Sequence, residues 1–562
     1  MSEQTKHFLT RKGSLWSERD SWFTHYRELS ENFAPRTGRF FVQDRNRGTK
    51  RHSKVIDSTV SRAVRVCAAG LMAGMTSPAR PWFRLETADK ELMQSANVKQ
   101  WINFCTELMR TIFARSNTYR SLHSIYEELI TYGTAADIVL DDFDDVLRHY
   151  TLTAGEYAIS TNHRGVVDTL YREFDMSVSQ IVTEFVYNPT TKMFDWSLVS
   201  PSIKNLWDNH GRDQWRPVLH AIEPRLGRDT ASPMARDMAF TSNYLEIGFD
   251  RGGFMRESGY KSFPALCPRW HVSGGDIYGN SPAMEALGDA KQLQHQQSRK
   301  ALGIDYQVKP PLAIPTSLKN QPLSTLPGGV AYVDVNGKGE AIKSMFEVNL
   351  NMAHLLEDIQ DVRTRINSTM YVDLFLMLAQ DDRSGTTARE IAERHEEKLL
   401  MLGPVLERLH NELLKPYIDM TFDKMIEANL VPPPPDELQG QDLNVEFVSM
   451  LAQAQRAVGV SSIDRLIGTV GGMAQYKPDV LDKLNTDEIV DQYSEMLGVD
   501  PNLIVADEQV AIIRQNRADQ QAAQAKAAQV EQAAQTAATM GQVDPNNLRD
   551  VMSQFSGYSS QL

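Results

Sequence analysis

Residues 281–307 read SPAMEALGDAKQLQHQQSRKALGIDYQ, and residues 349–371 read NLNMAHLLEDIQDVRTRINSTMY. The first opens on Pro282, whose missing N–H costs nothing in the first turn of a helix. The second sets Leu355, Ile359, Val362 and Ile366 on one stripe at helical spacing. Each predicts a helix of roughly 35 Å or more at 1.5 Å per residue. Between them lies VKPPLAIPTSLKNQPLSTLPGGVAYVDVNGKGEAIKSMF, in which Pro310 and Pro311 exclude a continuous helix. Within it VAYVDVNGKGEAI carries a hairpin signal with Asn336–Gly337 at the turn. Two long helices with a small β-module at their tip make a stalk with a head. The fold class that follows is mixed α+β, mainly α-helical.

Upstream, LWSERDSWFTHYRELSENF (15–33) places Leu15, Trp22, Tyr26, Leu29 and Phe33 on one helical stripe that Pro35 stops. RTGRFFVQDRNRGTKRHSKVID follows, with seven Lys or Arg against one acid before Ile56. Such a segment fits a nucleic-acid contact, a solvated loop or a subunit contact. In DSTVSRAVRVCAAGLMAGMTSPARPWF (57–83), Gly70 and Gly74 allow another helix to pack closely, and Thr76 to Pro81 end the helix. A helical stretch over about 97–131 leads into Ile/Val/Tyr-rich segments that read as a sheet. GVVDTLYREFDMSVSQIVTEF then predicts a strand passing into a helix at Ser177, and 200–265 predicts further strands with long polar turns.

Downstream, LAQDDRSG predicts a loop, and helix resumes at Thr387, where Thr387 and Glu390 have capping-box spacing. VPPPPDELQGQD is a stiff linker, short helices occupy 446–498, and QNRADQQAAQAKAAQVEQAAQTAATMGQV (515–543) closes the readable chain. Alanine and glutamine favour helix, yet so polar a helix has almost nothing to bury by itself.

At 562 residues the chain exceeds one core, so two to four domains are expected. The first thirty residues lack an apolar run, which predicts no secretory leader, and no stretch approaches eighteen uncharged apolar residues. Cys67, Cys105 and Cys267 are too dispersed for a zinc site and fit free thiols. The formal charge of −13 argues against gripping nucleic acid over most of the surface; it does not argue against touching DNA that must move.

GGDIYGNS (274–281) has the spacing of a phosphate loop, but Asn280 stands where lysine is needed and no clear strand precedes it. A glycine-rich turn capping the next helix is the better reading. DDFDDV (141–146) lacks the alternating ligands and glycine of a calcium loop, and RHEEK around His395 lacks the second histidine of a zinc protease. No Ser-His-Asp elbow appears. The residues support no enzyme.

Six blocks in series resemble the head-to-tail connecting, or portal, proteins of short-tailed bacteriophages. They are WFTHYRELSENFAPRTGRF, IDSTVSRAVRVCAAGLMAGMTSPARPWFRL, GVVDTLYREFDMSVSQIV, CPRWHVSGGDIYGNSPAMEALGDAKQLQ, TTAREIAERHEEKLLMLGPVLERLHNELLKP and VEFVSMLAQAQR, spanning about 14–456. The resemblance implies a homododecameric ring at one capsid vertex, with double-stranded DNA passing through its axis, no cofactor and no catalysis. It implies a wing at 1–280, stem helices at 281–307 and 346–372, and a β-rich clip at 308–345. A tunnel loop and wing helix would occupy 373–399, a helical crown 400–510, and a C-terminal barrel helix with a flexible tail 511–562. Expected partners are the terminase large subunit, a tail adaptor, and capsid and scaffolding proteins, with no membrane. The protein would sit in the virion after assembly in the host cytoplasm. Candidate DNA-channel residues are Gln380, Arg383, Ser384, Lys291 and Arg299, with intersubunit salt bridges as the other reading of these cations. Candidate clip-docking residues are Lys319, Asn336 and Lys338. The alternative function is a DNA-binding adaptor using the basic 36–54 segment.

Overall fold

A computed structural model describes residues 3–40, 54–87, 89, 92, 95–249, 253–314, 326, 330–332, 343–344, 352–379, 402–438, 440, 443–448, 466–473, 477, 479, 484–486, 488–490 and 507–540. The chain divides into two compact units, Met1–Gln455 and Arg456–Leu562.

The first unit opens with α1 (Glu3–Asn32). Its buried stripe, Leu15, Tyr26, Leu29 and then Phe33 just past its end, is the one the spacing predicts, and it extends back to Phe8. The N-terminal half lies on a five-stranded antiparallel sheet. That sheet is built from β4 (Tyr157–Thr161), β5 (Val167–Ser177), β6 (Trp215–Ile222), β7 (Phe240–Glu246) and β8 (Arg256–Tyr260), in the order β8–β7–β6–β5–β4. Alternate residues of β6 serve opposite faces, as the two-residue strand period requires. Leu219 and Ala221 meet Phe8 and Leu15, whereas Val218 packs with Val182, Ile203 and Tyr244. Ser177 ends β5 and starts a helix through a reciprocal capping box with Gln180, as expected. One helix, Pro201–Asp208, interrupts the predicted run of strands. Ser200 caps it and Pro201 starts it, a combination that favours a helix start over a strand.

The central core joins α2 (Thr59–Met75), α3 (Ala96–Arg115) and α4 (Thr118–Tyr132) to the hairpin of β2 (Ala136–Asp142) and β3 (Val146–Leu152). Gly70 of α2 is a contact point: a Cβ there would fall 2.2 Å from the Phe375 ring. Small residues in α2 thus admit a neighbouring helix, as predicted. β1 (Phe83–Thr87) pairs antiparallel with a strand at Leu443–Phe447. Around this ladder Trp82, Phe113 and Tyr417 stack, with ring centroids 5.9 and 4.8 Å apart, each pair contributing roughly 1 kcal/mol beyond burial.

The paired helices follow: a capped turn at Pro282–Glu285, then α5 (Leu287–Val308) and α6 (Met352–Thr369). The tip module holds three short strands among the described residues. Leu312–Ile314 is its central strand, with Val330–Tyr332 parallel on one side and Lys343–Ser344 antiparallel on the other. The hairpin expected over 330–342 falls, after Tyr332, outside the described residues. Asn336 and Gly337 lie outside the described residues. After α6 the backbone turns at Tyr371, which has φ 55°, and helix resumes as α7 (Val372–Ala379). The stretch from 373, expected to begin a tunnel loop, is thus helical at its start, because Leu374 and Phe375 are buried against the core.

Residues 402–409 form a helix that passes through a π-turn at His410–Leu414 into α8 (Lys415–Glu427). Leu402, Leu406, Leu409, Leu413 and Tyr417 are buried in the central core, and the following strand pairs with β1. Residues 402–448 of the stretch expected as the crown belong to the unit Met1–Gln455. In the second unit, residues 466–473 form a helix, and α9 (Asp507–Met540) takes in the alanine-glutamine run as far as Met540. Residues 511–526 of α9 are exposed, including Ile512 and Ile513.

Candidate functional site

The paired helices α5 and α6 pack along their length, and α5 carries the candidate channel residues Lys291 and Arg299. Between them Leu293 meets Ile359, Val362 and Ile366 in the core. At the solvent edge Gln296 donates to Asp358, and Arg365 reaches both Asp289 (3.1 Å) and Gln292 (3.3 Å). The pair is stapled on both its apolar and its polar sides.

Its junction with the rest of the unit is Asp57, just before α2. The Gln294 carboxamide oxygen accepts from the backbone N–H groups of Ile56 (2.7 Å) and Asp57 (2.8 Å), while its amide donates to the Asp57 carbonyl at 2.9 Å. The Asp57 carboxylate accepts from Gln297 of α5 (2.9 Å) and Arg363 of α6 (2.7 Å). It also accepts from the Thr59 N–H and hydroxyl at 2.8 and 2.6 Å. Burial pushes this carboxyl up, but the bonds from Thr59 and Arg363 outweigh it and hold the group below its ordinary value. One residue thereby fastens α2 to both long helices.

A second fastening lies at the π-turn. Arg269, almost fully buried, makes a bidentate pair with Glu412 at 2.7 and 3.2 Å and donates to the Gly165 carbonyl at 2.8 Å. Arg408 also reaches Glu412 at 2.9 Å. A planar guanidinium matched to a carboxylate fixes orientation as well as distance.

The phosphate-loop spacing of 274–281 has a structural use. The Gly279 N–H donates to the Thr134 hydroxyl at 2.8 Å, Asn280 N–H to the His271 carbonyl at 2.6 Å, and the Ser281 hydroxyl accepts from Met284 N–H. Gly279 and Gly133 cross backbone to backbone, so a Cβ on Gly279 would fall 2.4 Å from the Gly133 carbonyl oxygen. These donors are occupied within the chain and do not converge on an anion.

Thr118, His149 and Asp137 line up like a nucleophile, base and orienting acid. The Thr118 hydroxyl is 3.2 Å from His149 Nε2, and His149 Nδ1 is 2.6 Å from Asp137. All three are sealed in the core, and Thr118 also meets the Tyr417 hydroxyl at 2.7 Å. No substrate reaches that hydroxyl; the network ties α4 and the β2–β3 hairpin to α8. DDFDDV forms the solvated turn expected of it, with Asp142 accepting from the N–H groups of Asp144 and Asp145. Among the described residues no cluster could hold a metal ion, and no helix is long and apolar enough to cross a membrane.

Of the candidate channel residues, Lys291 pairs with Glu28 at 2.5 Å within the chain. Arg299 is exposed on α5 without an ion-pair partner among the described residues. Gln380, Arg383 and Ser384 lie outside the described residues, as do Lys319, Asn336 and Lys338. At the two described ends of the basic segment, Arg39 pairs with Glu156 (2.6 Å) and Lys54 with Glu31 (2.5 Å).

The model of the family described as bacteriophage head to tail connecting protein matches residues 5–505. The chain belongs to this family. The connector is 57% identical over 564 residues to a "Probable portal protein" of Bordetella phage BPP-1, covering 100% of both chains. It is 44% identical over 554 residues to the "Portal protein" of Salmonella phage epsilon15, covering 98% of both. A chain from the virion of a native gene transfer agent particle aligns with TM-score 0.36 at 12% identity. The alignment covers 84% of the connector and 93% of that chain, a likeness too slight to bear on function. The family is named for joining head to tail, a structural task and not a reaction.

The residues that fasten the connector's parts together, Asp57, Gln294, Arg269 and Glu412, are not among those singled out by sequence. Asp57 stands two residues before Thr59, a local hydrogen-bonding pattern that marks a helix start. Nothing in the sequence pairs it with Gln294 or Arg363.

Proposed function

We propose that this connector is a portal protein: a ring-forming head-to-tail connector at one capsid vertex, through which the double-stranded DNA genome is packaged and later ejected. The observation that carries the reading is full-length identity, at 57% and 44%, to two proteins named as portals. The ring contains twelve copies and is assembled in the host cytoplasm. In it α5 and α6 are the stem, and the module at 308–345 is the clip that docks the terminase large subunit and then the tail adaptor. The wing side meets capsid and scaffolding proteins. Arg299 on the stem, with Gln380, Arg383 and Ser384, faces the passing DNA. Lys319, Asn336 and Lys338 serve docking at the clip.

The electrostatics suit a conduit. Each retained phosphate contact adds affinity and slows movement, and a subunit charge of −13 gives the assembled ring a field that repels DNA from its wall. Arg299, exposed and without an ion-pair partner among the described residues, can supply a weak contact repeated around the axis. Negative-stain images and native mass of the purified full chain test the reading. Rings with a central hole are expected; monodisperse monomers or dimers at all salt concentrations and protein concentrations would overturn it.

A further inference from the structure

Beside α8 lies an open groove of about 620 Å³ whose walls are Trp101, Phe422, Ile426 and the Pro432–Pro434 run. It is a built surface. Trp101 Nε1 donates to the Pro432 carbonyl at 3.0 Å, and the Trp101 and Phe422 rings meet edge to face at 6.3 Å. Ile426 is 50% exposed although it faces this apolar wall. Asp419 and Asp423, one helical turn apart, sit in the same groove and have no ion-pair partner among the described residues. Two of the neighbouring cations are engaged elsewhere, Lys424 with Asp141 and Lys261 with Glu427, while Lys415, one turn before Asp419, partly offsets its charge without forming an ion pair among the described residues. Partial burial pushes both carboxyls up, helped by mutual repulsion at Asp419 and by Glu427 at Asp423. An apolar slot edged by two carboxylates that form no ion pair among the described residues suits a cation on an apolar stem, bracketed by groups that pack on aromatic and proline surfaces.

The same unit displays such a segment. Pro78, Ala79, Arg80 and Pro81 form an exposed turn between α2 and β1. Its base is held by Thr76, whose hydroxyl meets that of Tyr126 at 3.1 Å, and by buried Trp82. Arg80 has no ion-pair partner among the described residues. Prolines on both sides limit the entropy lost when such a turn docks. Turn and groove belong to opposite ends of one ladder. Trp82 accepts from Val448 at one end, whereas Thr87 pairs with Leu443, a groove residue, at the other. At about 3.4 Å per residue, the five-residue ladder keeps a subunit's own Arg80 away from its own groove. In a closed ring each subunit presents two different faces to its two neighbours.

We infer that the Pro78–Pro81 turn of one subunit docks in the Trp101–Phe422–proline groove of its ring neighbour, with Arg80 between Asp419 and Asp423. This inference rests on the ring proposed above and names the contact that closes it. The test is charge exchange in the full chain, read as ring fraction against protein concentration by mass photometry, with thermal melting of the dissociated subunit as a folding control. Arg80→Asp and Asp423→Arg each raise the concentration for half-assembly roughly tenfold or more without lowering the subunit melting temperature. The double variant R80D/D423R restores much of the assembly, and Ile426→Asp weakens it. If wild-type subunits form rings and R80D and D423R do so equally well, the docking is wrong while the portal reading stands. Failure of the double variant to recover assembly overturns the pairing even if each single change is harmful. Absence of wild-type rings under all conditions overturns the portal reading, and the docking with it.

Discussion

At the scale of single residues, Glu128 links the connector's stability to pH. It is buried at the end of α4, where it accepts from the Thr153 hydroxyl (2.6 Å) and the Ala154 N–H (3.0 Å). Burial pushes its carboxyl from the ordinary 4.5 up to about 8, against the lowering effect of those bonds. The folded state therefore holds a proton that the unfolded state releases. The contribution is fully present below about 4.5 and is lost as pH rises through about 8. Thermal melting should fall across that window, and Glu128→Gln should remove its share of the slope while keeping both contacts. An unchanged slope in the glutamine variant would exclude Glu128 as its source. A steric prediction concerns Gly279, where a methyl group would strike the Gly133 backbone. Gly279→Ala should destabilise by about 2–3 kcal/mol, seen as a lower melting temperature; a neutral result would show that this crossing can relax. GGDIYGNS was legible as a helix-starting turn because Ser281 and Pro282 follow the local rules of caps. Its crossing with Gly133 was not, since nothing local ties residues 146 positions apart.

Elements were more readable than their partners. The stripes of α1 and α6 and the strand-to-helix passage at Ser177 follow from side-chain period and capping chemistry, which act within a few residues. In the tip sheet Leu312–Ile314 lies between Val330–Tyr332 and Lys343–Ser344, an order the sequence does not reveal because it depends on which segments meet in space. The apolar stripe of the helix from 402 fits any core equally well; only the fold shows that its core contains Trp82 and Phe113. The junction between elements can be tested directly. Gln294→Leu should leave the Ile56 and Asp57 N–H groups without an acceptor and destabilise by about 2–4 kcal/mol. Hydrogen exchange should report selective loss of protection at residues 56–62, and unchanged exchange there would show that Gln294 does not hold the junction. For α9, the exposure of residues 511–526 predicts that removing 515–562 leaves rings intact and impairs DNA retention or ejection. Loss of rings would instead make this helix an assembly element.

On the scale of the whole molecule, the family was legible from six ordered blocks, and full-length identity to two portal proteins agrees with it. The fastenings that make one unit of the pieces were not, because a carboxamide or a guanidinium on a helix surface looks the same whether it meets water or a partner. The Gln294 clamp also has a consequence for how the connector responds to its surroundings. Its three bonds join a neutral side chain to backbone groups, so dissolved ions scarcely weaken them. The Arg80 contact proposed between subunits is a charge pair at the surface, where added salt weakens attraction over a Debye length of about 10 Å at 0.1 M. Rising ionic strength should therefore loosen subunits from one another before it loosens α5 from α2, leaving that junction intact in the dissociated subunit and ready for reassembly when the salt is withdrawn.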